Sequence, residues 1–243
     1  MFKQLFSIIP TESTIRTFGT THLSVVFLGL MIAYTIVKSN KQNTKPIKFF
    51  TGIMLLMYVG YYTWYYYSPL SIVEKALPLY TCRLSIYLLA IGIFFNIKPA
   101  LKLGVYWSFF GGFCGLLFPS IFDYPFPHFI QINNFYLHSY IFAVATYYLF
   151  VERIGMTKQD TKFCCICTAI FLTIAHVMNM IIGSNYSSTM RTPGALLHLG
   201  ITIPSGICLI SVIIGYSIAI IAQYKLVNKL NKNNEEAVNN DTI

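Results

Sequence analysis

Charge is scarce in this sequence: Asp, Glu, Lys and Arg make up 10% of its 243 residues, and only 8 of them are carboxylates. A soluble domain carries about 25% charged residues, so a water-facing surface of ordinary composition is excluded. Long polar stretches are also missing, since nothing between the apolar segments exceeds about twenty residues, too short for a core of its own. The first ten residues lack the small cleavage-site residues and the apolar run of a secretory signal. Phe2, Leu5, Phe6 and Ile9 predict instead an anchor lying in the membrane interface. Dedicated metal-ligand spacings such as His-x-x-x-His on a helix are absent, and Cys164, Cys165 and Cys167 read as buried or idle thiols. No cofactor or metal is expected. The last apolar segment has no Lys before Lys225, which excludes a retinal Schiff base.

What is present is apolar: 56% hydrophobic residues and a mean hydropathy of +0.61. About 20 apolar residues cross a hydrocarbon layer as a helix. Seven segments qualify, at about 20–37, 47–67, 77–95, 100–119, 134–151, 163–183 and 201–224. The prediction is an all-α polytopic bundle of about seven transmembrane helices, forming a single domain over 1–224. A polar tail follows over 225–243, whose Asn-rich, charged composition predicts disorder. In the fourth segment Gly104, Gly111, Gly112 and Gly115 lower helix propensity but suit close approach of helix backbones.

Sidedness follows from Lys and Arg, which collect in short cytoplasmic loops. The loops after spans 1, 3 and 5, together with the tail, hold twelve of them; the opposite side holds Lys3, Arg16, Lys75 and Arg191. The N-terminus is therefore expected outside and the C-terminus inside. The net charge of +9 then reflects topology and contact with anionic lipid headgroups, so membrane lipids are the expected partners and nucleic acid is not. The sequence names no protein partner.

Most remaining polar residues fall at the outer ends of the spans. Tyr61, Tyr62, Trp64, Tyr65, Tyr66 and Tyr67 read as an interfacial aromatic belt. Pro78 suits the first turn of span 3, which carries Cys82 and Arg83 about a turn inside; Asn133 and Asn134 read as N-caps of span 5, which carries His138. Cys82 and His138 are thus expected at one depth. A Cys/His pair can make a thiolate that attacks an acyl carbon, although a Cys in an apolar helix also packs as a small hydrophobe. Ionisable groups within a span usually line cavities, which singles out Arg83 and His138; Arg83 also has the reach to snorkel outward. The outer residues His22, His128 and His176, with Asn185 and Tyr186 in the long loop 183–200, complete the candidate substrate-binding set. The loops 122–128 and 183–200 are expected to fold over the bundle mouth.

Phe18-Gly19 with His22, Leu77-Pro78-Leu79 with Cys82-Arg83, Pro127-His128-Phe129, His138, and Gly183-Ser184-Asn185-Tyr186 with Pro193 resemble the YwaF-like family of bacterial integral membrane proteins. The likeness covers about residues 18–210 and implies a multi-pass protein of the bacterial plasma membrane. A more distant similarity is to a eukaryotic transmembrane family that transfers acyl chains onto ether lysophospholipids through a Cys and a His. That similarity implies Cys82 as nucleophile and His138 as base, while Ser139 replaces the Gly expected after the histidine. The functional expectation is a lipid acyltransferase at the outer leaflet. A transporter or lipid-binding protein using the same outward cavity is the alternative, and a small scaffold or sensor subunit is compatible with the same sequence.

Overall fold

A computed structural model describes residues 2–240 of the chain, and the side chains of residues 4–232. Among the described residues there is no strand, and seven helices exceed fourteen residues: α1 (Thr20–Ser39), α2 (Lys45–Tyr67), α3 (Thr81–Phe95), α4 (Lys98–Leu117), α5 (Phe129–Thr146), α6 (Lys158–Ile182) and α7 (Cys208–Asn240). A π-type turn, Tyr147–Val151, continues α5. The helices overlie the seven apolar segments, and their ends follow local chemistry. Asn40 and Asn96 stop α1 and α3 in left-handed backbone, and Pro46 and Pro99 open α2 and α4 where a missing N–H costs nothing. At the start of α6, Thr157 and Asp160 cap each other's backbone, and Asp160 also pairs with Lys102 at 2.7 Å. Gly183, at φ 69°, ends α6 in a conformation that suits glycine.

Four helices are long and apolar enough to cross a membrane: Thr20–Ser39, Lys98–Leu117, Lys158–Ile182 and Ser205–Lys232. Of the other three, α3 is apolar but only 15 residues long, while α2 and α5 are less apolar, for α5 with a reason visible in the packing. α5 runs through the middle of the bundle against α4, α1 and α2, and 12 of its 18 residues are buried, Gln131, Asn133 and His138 among them. A helix surrounded by protein need not be apolar all round. Those facing outward are, as Phe27 and Leu28 on α1 and Ile170 and Ile174 on α6 show, each more than half exposed. α4 packs between α3 and α5, and α6 and α7 pair with one another on its other flank.

The glycines of α4 permit this. A Cβ on Gly104 would meet the Leu89 backbone nitrogen at 3.1 Å, and one on Gly112 the Phe142 nitrogen at 2.9 Å. The helix therefore touches both neighbours backbone to backbone, as small residues allow in lipid.

Several boundaries differ from the sequence expectation. α3 begins at Thr81 rather than near 77, because residues 75–79 are held by side chains instead of a helical ladder: Leu77 N–H donates to Tyr186 Oη (3.0 Å) and Leu79 O accepts from Ser187 Oγ (2.8 Å). α5 begins five residues before Asn134, capped by His128, whose Nδ1 accepts the Ile130 N–H. Asn133 and Asn134 therefore lie inside the helix and are not its caps. α7 continues unbroken to Asn240, across most of the segment whose composition predicts disorder; residues 241–243, like Met1 and the Phe2 side chain of the expected anchor, lie outside the described residues.

Candidate functional site

Four segments meet at one end of the bundle. Thr11 N–H donates to Asp123 O (2.8 Å), and Ser7 O accepts from His128 Nε2 (2.9 Å) and Trp64 Nε1 (3.2 Å). The N-terminal segment is thus docked on the 118–128 loop, which Gln131 holds by donating to Phe122 O (2.8 Å). The 183–193 loop is built around Asn179 of α6, whose Nδ2 donates to Tyr186 O and Thr189 Oγ1 while its Oδ1 accepts from Tyr186 N and Ser184 Oγ. Asn185 closes the loop by accepting from Met190 N and Arg191 N, both at 3.0 Å. Tyr186, 1% exposed, reaches across to donate to Val73 O (2.8 Å). The loop consequently covers the start of α3, where Cys82 is the second residue.

His138 is held by its own helix and by a glycine. Its Nδ1 bonds Asn134 O at 2.9 Å, which places the proton on Nδ1 and leaves Nε2 as an acceptor. The ring packs against Gly115, so close that a Cβ there would stand 2.0 Å from Cδ2 and 2.3 Å from Nε2. Cys82 lies beside Gly111 on the same helix, its Cβ 3.9 Å from where a Gly111 Cβ would be. Gly111 and Gly115 are four apart and share one face of α4, so Cys82 and His138 are neighbours of one helix face. They do not share a depth: His138 is about 6 Å, one turn, nearer the loop end. Joined by the Cβ spacing of about 6 Å for such a pair, those contacts bound the Cys82 Cβ to His138 Cδ2 separation at about 12 Å. No hydrogen bond joins the two side chains among the described residues.

The other predicted residues divide by what their polar atoms already do. His22 is fully buried and spent on both nitrogens, accepting from Phe18 N (2.9 Å) and bonding Leu116 O (2.7 Å). His128 is likewise fully buried, stacked on Tyr124 at 4.1 Å, and burial pushes its pKa below the usual 6.5. Tyr186 and Asn185 shape the covering loop, and His176 bonds Thr189 O at 3.2 Å. These are scaffold contacts. Arg83 differs: it donates through Nη1 to Lys75 O (2.6 Å) and Leu77 O (3.2 Å), and its guanidinium lies over the rings of Tyr61 and Tyr80.

The aromatic belt needs correction. Tyr66 and Tyr67 are exposed, but Tyr61, Trp64 and Tyr65 are 5% exposed or less and pack with Tyr124 and Ile130 beneath the loops. Residue spacing explains the split, since 61, 64 and 65 share one helix face and 66 and 67 do not.

Three participants escape sequence reasoning. Gly115 seats His138; Tyr216 of α7 bonds Thr81 Oγ1 and stands beside Gly111; and Tyr58 lies on the Tyr61 ring at 5.3 Å. Gly115 was legible only as one of four glycines suiting close helix approach, and its i, i+4 spacing from Gly111 is the signal that could have found this face. Below Tyr216 an apolar cavity of about 280 Å³ lies between α4 and α7, lined by Phe109, Phe110, Phe113, Ile218, Ala219 and Ala222 among others. Among the described residues no group of His, Cys, Asp and Glu gathers as a metal ion requires.

An all-helical bundle with lipid-length apolar helices and polar groups collected under loops at one end defines a multi-helix membrane protein. The chain belongs to the TMEM164 family, whose profile matches residues 16–222. No curated protein and no solved structure matches it.

Proposed function

We propose that the protein is a lipid acyltransferase in which Cys82 is the nucleophile and His138 the base. The observation carrying this reading is the α4 face on which both residues lie, with the His138 tautomer fixed by Asn134 O so that Nε2 is the acceptor. That is the polarity a general base needs. In the first half-reaction the Cys82 proton passes to His138 Nε2, directly or through one bridging water. The thiolate attacks an ester carbonyl carbon; the C–S bond forms, the ester C–O bond breaks, and the leaving alkoxide takes the proton from His138. In the second, an acceptor hydroxyl gives its proton to His138, attacks the thioester carbon and releases Cys82 as thiolate, which is then reprotonated. The apolar cavity between α4 and α7 suits an acyl chain, because its wall near Tyr216 adjoins the Cys82 end of the face.

The YwaF-like resemblance and the charge distribution support a bacterial plasma membrane protein crossing seven times, with its N-terminus outside. In that frame the loop-covered end faces the outer leaflet. Shielding of α5 by its neighbours accounts for a crossing helix of modest hydropathy.

The test is acyl exchange between phospholipids in proteoliposomes. Cys82→Ser should abolish it, and His138→Ala should slow it about 10²- to 10⁴-fold, the usual worth of a general base. A second reading, ligand binding or transport without chemistry, is favoured by the lack of a direct Cys82–His138 hydrogen bond. It predicts that both variants keep wild-type function, which would sink the enzymatic proposal.

A further inference from the structure

Arg83 is a cation without an acid. The ion pair found among the described residues is Lys102–Asp160, and Glu74, the carboxylate nearest Arg83 in sequence, is exposed and does not pair with it. The ionisable groups around the Arg83 guanidinium include Tyr61, Tyr58, Cys82 and Tyr80, and its charge also reaches Tyr65, Tyr87, Tyr186 and His138, with no carboxylate among them. A guanidinium carries five N–H donors, and Nη1 alone is used here, on the Lys75 and Leu77 carbonyls. Nε and Nη2 are left with three donors unassigned.

Beside them, two buried hydroxyls are also idle. Tyr58, 2% exposed, has no hydrogen-bond partner for its Oη; Tyr61, 3% exposed, turns its hydroxyl toward that of Tyr65 but makes no hydrogen bond of ordinary geometry. Burying a phenol with its hydroxyl unpaired is unfavourable, a cost that a packed Phe would avoid. Tyr62 and Tyr87, which join their hydroxyls at 3.3 Å and pack around Tyr58, are half-buried, as is Arg83, so the cluster is open along the seam between α2 and α3.

We propose that Arg83, Tyr58 and Tyr61 form a recognition site for an oxyanion of the phosphate class, reached through the α2–α3 seam and placed beside Cys82. Five free donors exceed what a carboxylate accepts with its four lone pairs and suit a tetrahedral oxyanion held by the planar guanidinium fork. The site deepens the acyltransfer reading by giving the lipid ester a phosphate to be held by, and binding tests it without turnover.

The experiment is thermal unfolding of the purified protein in maltoside micelles with three probes: dihexanoylphosphatidylcholine, sodium phosphate and dihexanoylglycerol. The phospholipid should raise Tm and the phosphate-free glyceride should not. A shift with sodium phosphate as well identifies the bare oxyanion as sufficient; a shift with phospholipid alone identifies the lipid headgroup as the source. Arg83→Gln should abolish the shift. Because that variant also loses the Lys75 and Leu77 contacts, Tyr58→Phe and Tyr61→Phe are the cleaner tests. Each keeps its ring and should leave the unliganded Tm unchanged or higher, while weakening the phospholipid about five-fold, one hydrogen bond's worth. An equal shift with dihexanoylglycerol, or wild-type affinity in both Tyr→Phe variants, overturns the assignment. Cys82→Ser should bind as wild type does, so a failed acyl transfer and a failed oxyanion site give different results.

Discussion

His138 fits only because residue 115 has no side chain. A methyl placed there would penetrate the imidazole, so Gly115→Ala must push the ring off the α4 face or part α4 from α5. Overpacking of this kind costs about 1–3 kcal/mol. The expected outcome is a lower Tm and loss of acyl exchange in Gly115→Ala, with Tm restored in the Gly115→Ala/His138→Ala double variant because the clash is then gone. Additive losses in that cycle would mean the two residues do not touch. His128 offers a second test, at the loops. Its Nδ1 must accept the Ile130 N–H while its Nε2 bonds Ser7 O, so the neutral ring is the one that fits, and burial lowers its pKa. A lowered folded-state value means that the docked N-terminal segment keeps its full stability above about pH 6.5 and loses it as pH falls through the folded value. Trp64, which shares Ser7 O and packs edge-on against His128, reports this. Its fluorescence in a Trp107→Phe background should change on acidification below pH 6.5, and should stay flat after His128→Gln.

Elements were legible in the sequence where lipid dictated them and less so where protein did. Runs such as 20–37 and 47–67 became α1 and α2 with little change, because a lipid-facing helix must be apolar and its ends must be polar. The start of α3 was misplaced by Pro78, a residue that favours a first turn as readily as it favours the tied-down segment found here. What decided between them, Tyr186 and Ser187, lies more than 100 residues away in sequence. The start of α5 was misplaced because Asn133 and Asn134 look like caps, while a His capped the helix five residues earlier. The covering loop is the element most dependent on one residue. Asn179→Ala removes all four of its hydrogen bonds, at about 2–3 kcal/mol once a buried partner is stranded. Amide exchange over 184–192 should then speed up while that of α6 below residue 175 is unchanged; uniform acceleration would show that the loop and the helix unfold together.

For the whole molecule, the candidate site is a juxtaposition of three helices on the glycine face of a fourth. Cys82 comes from α3, His138 from α5 and Tyr216 from α7, and α4 touches all of them. Depth along each helix was readable from sequence, though off by a turn for Cys82 and His138, and the identity of neighbours was not. Hydropathy states how far a residue lies from the water but not which way it points. The same limit hid the buried tyrosines of α2, which share their composition with an interfacial belt and differ from it only in which face they occupy. The proposed topology can be tested on this scale. A membrane-impermeant thiol reagent should label Ser120→Cys in intact cells and leave Gln42→Cys untouched until the membrane is opened; the reverse pattern would place the covered end inside.

The acyl-enzyme itself is the most direct test of Cys82 as a nucleophile. Purified protein in lipid should be incubated with a thiol-reactive acyl-chain probe and digested, and the adduct located by mass spectrometry in wild type, Cys82→Ser and His138→Ala. An adduct on Cys82 is expected, vanishing in Cys82→Ser and falling sharply in His138→Ala. An inert Cys82 in a protein that remains folded, or labelling indifferent to His138, would contradict it and leave the thiol as packing.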